Sequence, residues 1–425
     1  MQSRQALIFL SHLPIVRNRN ANSIYQLGTM TALSRIACFC FVTLTLSWAG
    51  SPNASAQVET SAPYAYLLDV ETKTVLFEKN SDELMQPASM SKIMTMALIF
   101  ERLKSGKLTL ESEFPVSENA WRTGGAPSGT AAMFAPLNTN ITVSDLIQGI
   151  AVQSGNDACI IIAEGIAGSE DTFANMMTEY ARRIGLEKST FGNASGLPHP
   201  DQLMTSRELA ELALHLIEEY PEYYHYFGQE EFPYRKHKFY NRNPLVRADF
   251  PSDGLKTGFT KESGYGIVAS AVENGRRLIL VLNGMESSSA RRAEAIRLLN
   301  WGFRSFAKFT VFNADEIVGE ALTWGGEKRY VPLRGDGDVR VLLPKDVSKQ
   351  RLRGEIVYPG PVITPIQQGD QIGHLRVTGP DGIEATAPLY AAESIGRAGI
   401  IQQGFDSALT LAFGWLIHDG ESGEN

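Results

Sequence analysis

Three short motifs along the chain carry residue types that suit nucleophilic acyl transfer: Ser89-Met90-Ser91-Lys92, Ser154-Gly155-Asn156 and Lys256-Thr257-Gly258. A serine hydroxyl attacks a carbonyl only with a base beside it. A spacing of three on a helix puts Lys92 one turn from Ser89 and on the same face. An ordinary lysine, with a pKa of about 10.4, is uncharged in only about one molecule in a few thousand at pH 7, so the site must depress it by burial or by a second cation. Lys256 is the natural second cation, and a shift of about 3 units corresponds to about 4 kcal/mol. In the middle motif, the Ser154 hydroxyl can relay a proton between a lysine and a leaving amine, while the Asn156 amide can hydrogen-bond Lys92 or a substrate backbone. In the third, Lys256 and Thr257 offer a cation and a donor to a carboxylate, and Gly258 lets a substrate backbone come close. Acyl transfer also needs two donors for the developing oxyanion, and the backbone N–H groups of Ser89 and Phe259 are the candidates. Taken singly, each motif also fits plain structure, as a helix cap before an apolar run or a turn entering a strand. The weight rests on their occurring together.

The elements that must position these residues are legible between 57 and 310. Tyr64 to Val70 and Thr74 to Phe77 read as two strands across a Glu71-Thr72-Lys73 turn. Ser89 to Leu103 reads as a helix rich in Met, Ile, Ala and Leu, and Thr205-Ser206-Arg207-Glu208 is a capping box before the apolar run Leu209 to Ile217. Lys256 looks like the start of a strand after a Pro251-Ser252-Asp253-Gly254 turn, and further strands follow at Gly266 to Val272 and Arg277 to Asn283. A helix from Ala290 to Phe306 closes an α/β (α+β) domain with an antiparallel sheet. From 311 to 392 helical periodicity gives way to short β-type runs broken by Gly and Pro, a small all-β domain. The remainder, 393 to 425, carries apolar residues at helical spacing from Ser394 to Ile417, an amphipathic helix that either docks on its own domain or lies on a membrane.

Arg35, the apolar stretch Ile36 to Leu46 and the small residues Ala54-Ser55-Ala56 have the order of a signal peptide, so residues 1 to 56 read as an N-terminal extension and export signal, with Met30 a candidate true start. Removal of that segment takes Cys38 and Cys40 with it and leaves Cys159 alone, so the exported chain has no intramolecular disulfide. A net charge of −8 without a Lys/Arg cluster argues against nucleic acid as a partner. No His/Cys ligand spacing supports a metal mechanism, and no cofactor is called for.

With these motifs, the chain resembles the low-molecular-mass penicillin-binding proteins, serine-type D-Ala-D-Ala carboxypeptidases of peptidase family S11. The similar stretches are Pro87 to Thr95, Ser154 to Cys159, Asp253 to Gly258 and Leu298 to Arg304. The resemblance implies a transpeptidase/β-lactamase-like catalytic domain, the small β-rich domain after it and a C-terminal amphipathic helix on the periplasmic face of the inner membrane. It implies a peptidoglycan stem peptide ending in D-Ala-D-Ala as substrate and β-lactam antibiotics as covalent inhibitors. It also assigns the substrate's terminal carboxylate to an arginine before the last helix, matched here by Arg291, with Arg292 one residue away. Well-known members carry His where this chain has Phe259. Cys159 lies three residues after Asn156, which predicts that a thiol alkylator slows acylation. Endopeptidase action on cross-links uses the same chemistry. A serine β-lactamase shares the motifs, but no Glu-x-x-Leu-Asn follows the second one. An envelope scaffold without catalysis is the remaining alternative.

Overall fold

The computed structural model describes residues 58–345, 352–379 and 384–399, together with the backbone of 3–9. The signal segment, Met30 and residues 400–417 of the expected terminal helix lie outside the described residues. Among the described residues no helix is long and apolar enough to cross a membrane.

The catalytic sheet has five antiparallel strands, in the spatial order Val75–Lys79, Tyr64–Asp69, Arg276–Met285, Gly264–Glu273 and Ser252–Thr260. The first hairpin and the last three strands come from opposite ends of the domain, so a long helical insertion separates them in sequence. The central strand Arg276–Met285 is buried from Leu278 to Leu282 without alternation. That pattern requires cover on both faces. Helix Ser288–Ser305 covers one, with Gly302 so close that a Cβ would meet Leu278 at 2.8 Å. Helix Ser206–Glu219 and the core helix Lys92–Lys104 lie on the other side. Lys92 to Phe100 are all buried, as expected of a helix apolar on every face inside a domain.

Local sequence explains the element ends. Thr142, Ser169, Thr205 and Ser287 each accept a hydrogen bond from a backbone N–H in the first turn of the helix they precede. The Thr205 capping box is only half made: the Glu208 carboxylate accepts instead from the Lys188 N–H at 2.7 Å and from the Ser189 hydroxyl. The edge strand also differs from the sequence reading, because the residues expected as a turn at 252–254 already pair with the neighbouring strand and place Lys256 in mid-strand.

The second sheet, all from the β-rich region apart from one strand, runs in the order Ser3–Phe9, Arg353–Pro359, Gln371–Thr378, Glu384–Ala391, Tyr330–Arg334, Gly319–Trp324 and Val362–Ile363. It has its own apolar core, including Val331, Leu333, Leu375 and Leu389. The expected helix from Ser394 does not begin there. Ile395 bridges Ile366, Arg397 bridges Gly326, and the Arg397 guanidinium donates to the Thr364 carbonyl at 3.2 Å. These extended residues finish the β-domain, and Arg397 is used within it.

One buried ion pair ties the first hairpin to the sheet. Asp69 is fully buried, accepts from the Thr72 N–H at 3.0 Å and the Thr72 hydroxyl at 2.7 Å across the turn, and pairs with Arg276. Asp69→Ala leaves Arg276 without its counter-charge and is expected to lower unfolding free energy by about 3 to 5 kcal/mol, measured by chemical denaturation. A loss within 1 kcal/mol of zero, on the order of an exposed pair, would contradict this account.

Candidate active site

Ser89 sits in a single 3₁₀ turn, Ala88–Ser91, that runs directly into the helix Lys92–Lys104. Ala88 has φ +47°, a left-handed conformation that costs a non-glycine residue about 1 to 3 kcal/mol. Two glycines wedge this turn in place. At Gly196, with φ +77°, a Cβ would meet the Ala88 carbonyl oxygen at 2.1 Å. At Gly258 it would meet the Pro87 oxygen at 2.9 Å and the Ala88 Cβ at 3.1 Å. Gly258 is therefore needed against the turn that carries Ser89, a reason the sequence did not suggest.

Lys92 is 0% exposed, and its amine has three neighbours: Ser89 Oγ at 3.0 Å, Asn156 Oδ1 at 2.7 Å and the backbone carbonyl of Ser195. Two of these are acceptors only, while the third is a hydroxyl that can donate. A neutral amine fits this set, donating one N–H to Asn156 and one to Ser195 and keeping its lone pair for the Ser89 hydroxyl. Thr130 fixes the amide orientation, since Asn156 Nδ2 donates to Thr130 Oγ1 at 2.9 Å. The Ser195 carbonyl is held by a local turn in which Asn193 Oδ1 accepts from the N–H groups of Ser195 and Gly196 at 3.1 and 2.7 Å. Thr95, one turn along the nucleophile helix, donates to the Ala194 carbonyl at 2.7 Å.

Ser154 has φ +62° at the end of the preceding helical turn and lies within 2.8 Å of Lys256 Nζ, which donates to it. The site thus contains two Lys/Ser pairs, Lys92 with Ser89 and Lys256 with Ser154. Burial pushes both lysines below the ordinary value, Lys256 well below it. For Lys256 the next cause is the charge of Lys92. The sequence argument made Lys256 the agent that depresses Lys92. In the structure desolvation leads for Lys92, Arg242 adds to it, and Cys159, Glu170 and Asp157 oppose it.

Thr257 and Phe259 complete the edge strand, with Thr257 buried and Phe259 51% exposed. Arg291 is 6% exposed, donates to the Gly266 carbonyl at 3.3 Å and the Ser288 hydroxyl at 3.2 Å, and leaves its Nε without a partner. Burial pushes its guanidinium pKa down to about 10. Arg292 is exposed, so of the two only Arg291 packs behind the Lys256-Thr257-Gly258 strand. Cys159 is fully buried and its thiol is pushed up to about 12 by burial, which removes the thiolate that an alkylator needs. The position of the thiol therefore lends no support to the expectation that alkylation slows acylation.

Thr130, Ser195, Glu170 and Arg242 were not singled out from the sequence. Ser195 acts through a backbone carbonyl, for which side-chain identity gives no signal. Glu170 follows an ordinary helix cap, yet its carboxylate accepts from the Ala194 N–H at 3.1 Å and steadies the segment that supplies the Ser195 carbonyl.

A serine hydroxyl beside a buried lysine, a second Lys/Ser pair and a Lys-Thr-Gly edge strand form a constellation suited to serine acyl transfer. The family comparisons name the class more closely. Residues 51–287 match the D-alanyl-D-alanine carboxypeptidase model of peptidase family S11, and residues 306–397 match the penicillin-binding protein 5 C-terminal domain. The chain belongs to the S11 family. It is 34% identical over 353 residues to the D-alanyl-D-alanine carboxypeptidase DacC of Escherichia coli (strain K12), covering 82% of this chain and 88% of that protein. The structure of penicillin binding protein 5 from Haemophilus influenzae is similar with a TM-score of 0.68 and 31% identity, over 80% of this chain and 99% of that one. Penicillin-Binding Protein D2 from Listeria monocytogenes in its ampicillin-bound form is similar with a TM-score of 0.53 and 27% identity, over 58% of this chain and 100% of that one.

The Glu170 charge stabilises the ammonium form of Lys92 and so raises its pKa. Glu170→Gln keeps a side-chain oxygen for the Ala194 N–H and removes the charge. The acid limb of the pH profile for acylation by a penicillin is expected to move to lower pH, because more Lys92 is free amine at any given pH. An unmoved or upward-moving limb would count against the electrostatic role.

Proposed function

We propose that this enzyme is a penicillin-sensitive serine D-alanyl-D-alanine carboxypeptidase that removes the terminal D-alanine from peptidoglycan pentapeptides through an acyl-enzyme on Ser89. The observation that carries the reading is the placement of the Lys92 amine, 3.0 Å from Ser89 Oγ and held there by two obligate acceptors, Asn156 Oδ1 and the Ser195 carbonyl, which as a free amine leaves its lone pair for the Ser89 hydroxyl. Ser89 Oγ adds to the carbonyl carbon of the penultimate D-alanine as Lys92 takes its proton. The resulting oxyanion accepts from the backbone N–H groups of Ser89 and Phe259. On collapse the peptide C–N bond breaks, and the proton taken up by Lys92 passes through Ser154, which Lys256 holds, to the amine of the departing D-alanine, returning Lys92 to the free amine. Thr257 and Lys256 receive the terminal carboxylate, with the Arg291 guanidinium behind the strand. Water then adds to the ester carbonyl, with Lys92 again as base, and releases the shortened peptide.

A β-lactam enters the same path, but its leaving nitrogen stays tethered to the acyl group, so the ester persists. The reading places the catalytic region at 57–310, the β-rich domain at 311–392 and the anchor at 393–425. The enzyme acts after export, peripheral to the periplasmic face of the inner membrane through its C-terminal segment.

Incubation with a pentapeptide ending in D-Ala-D-Ala and with a fluorescent penicillin tests this reading. D-alanine release and a stable label are both expected and both lost in Ser89→Ala. Lys92→Ala should slow acylation by about 10² to 10⁴-fold, the range for loss of a positioned general base. Rapid penicillin turnover by the native enzyme would point to a β-lactamase instead, and an unlabelled but peptide-cleaving Ser89→Ala would remove Ser89 as nucleophile.

A further inference from the structure

The edge strand carries an aromatic feature that the acyl-transfer chemistry does not use. Phe259 and Tyr265 are direct cross-strand partners, and their rings lie 4.2 Å apart between centroids at 30°. Pleating sends alternate side chains to opposite faces. Gly258 and its partner Gly266 face Met90 and the nucleophile turn, so Phe259 and Tyr265 share the other face with Thr257. The Arg291 guanidinium lies over the Tyr265 ring at 5.7 Å. A tyrosine packed against a phenylalanine ring and approached by a buried guanidinium has few ways to move. It gives the Phe259 ring a firm backing, while Phe259 itself keeps half its surface open to solvent.

An exposed phenylalanine next to a polar site is a costly place for an apolar ring unless something covers it, because burial of apolar surface is worth about 25 cal/mol per Å². We propose that the Phe259/Tyr265 pair is a specificity-determining apolar wall for the side chain of the departing C-terminal residue, and that it gives this enzyme a tolerance for D-residues larger than alanine. This rests on the carboxypeptidase reading. If the departing residue's carboxylate meets Thr257 and its nitrogen lies by the scissile carbonyl at the Phe259 N–H, its α-carbon is between them. Its side chain then projects over the face that Thr257 and Phe259 share. A methyl group only grazes the ring, whereas a branched aliphatic side chain covers it. A residue with a polar ring or short hydroxyl in place of Phe259 would offer no such surface.

The test compares kcat/KM for acyl-peptides ending in D-Ala-D-Ala, D-Ala-Gly and D-Ala-D-Leu, in the native enzyme and in Phe259→Ala and Phe259→His, with the rate of acylation by penicillin measured in each as a check on the oxyanion donors. The native enzyme should cleave D-Ala-D-Leu at least as well as D-Ala-Gly. The D-Leu to D-Ala ratio should fall about tenfold in Phe259→Ala, within the range for loss of one or two methylene-sized apolar contacts, and by a similar factor in Phe259→His. Because the reading is a ratio within one variant, an overall loss of rate does not obscure it. An unchanged ratio in either variant that still acylates overturns the wall. If the native enzyme takes up penicillin but cleaves none of the three peptides, the carboxypeptidase reading fails first and the wall with it.

Discussion

Taking a lysine amine out of water disfavours its charged form, and the catalytic region is arranged around that cost. Lys92 is enclosed by the core helix on which it stands, by the helix beginning at Asn156 and by the segment around Ser195. Enclosure alone would leave a buried polar head unsatisfied, which costs about 1 to 3 kcal/mol. The two acceptors repair this without restoring the charge, because a neutral amine has two protons to give and a lone pair left over. Burial and hydrogen bonding therefore act together. Burial lowers the pKa, and the acceptor pair fixes where the amine sits.

The scaffold serves the same end. The strained Ala88 conformation that aims Ser89 is tolerable only because two chain segments without side chains press on it, Gly196 from the helical region and Gly258 from the edge strand. One of those segments also supplies the Ser195 carbonyl, and the other carries Lys256 and Phe259. A shift of either segment would change the surroundings of Lys92 and the position of the Ser89 hydroxyl together. The sheet behind them is braced by the Asp69–Arg276 pair and by a closely packed helix at Gly302. Precise chemistry at the edge thus depends on rigid packing at the centre.

Much of this was legible in the sequence where a side chain's type is the signal. Ser89, Lys92, Ser154, Asn156 and Lys256 announce themselves by spacing, and the structure brings all five together. The strands and helices of the catalytic region follow from apolar periodicity and capping residues, with boundaries off by one to a few residues. What could not be read are contributions made through backbone or through distant packing. The Ser195 carbonyl carries no side-chain signature, and Thr130 and Glu170 act through the orientation of other groups. Gly258 was given to the substrate when its missing Cβ also makes room for Ala88. Cys159 sits beside a reactive motif in sequence, yet it is buried in the core, where desolvation pushes its thiol pKa up. The expected helix does not begin at Ser394, because periodicity does not reveal that Ile395 and Arg397 have partners across a sheet.

Burial of Lys92 between fixed acceptors lowers its pKa and makes its free amine available as a base. Selective ¹³C labelling of lysine side chains, with the Lys92 resonance assigned by Lys92→Arg, allows its titration to be followed directly by NMR. The account requires Lys92 to titrate below the ordinary lysine value of about 10.4, with its resonance already that of a free amine where the exposed lysines are still charged. A Lys92 that titrates with the exposed lysines, or above them, would contradict it.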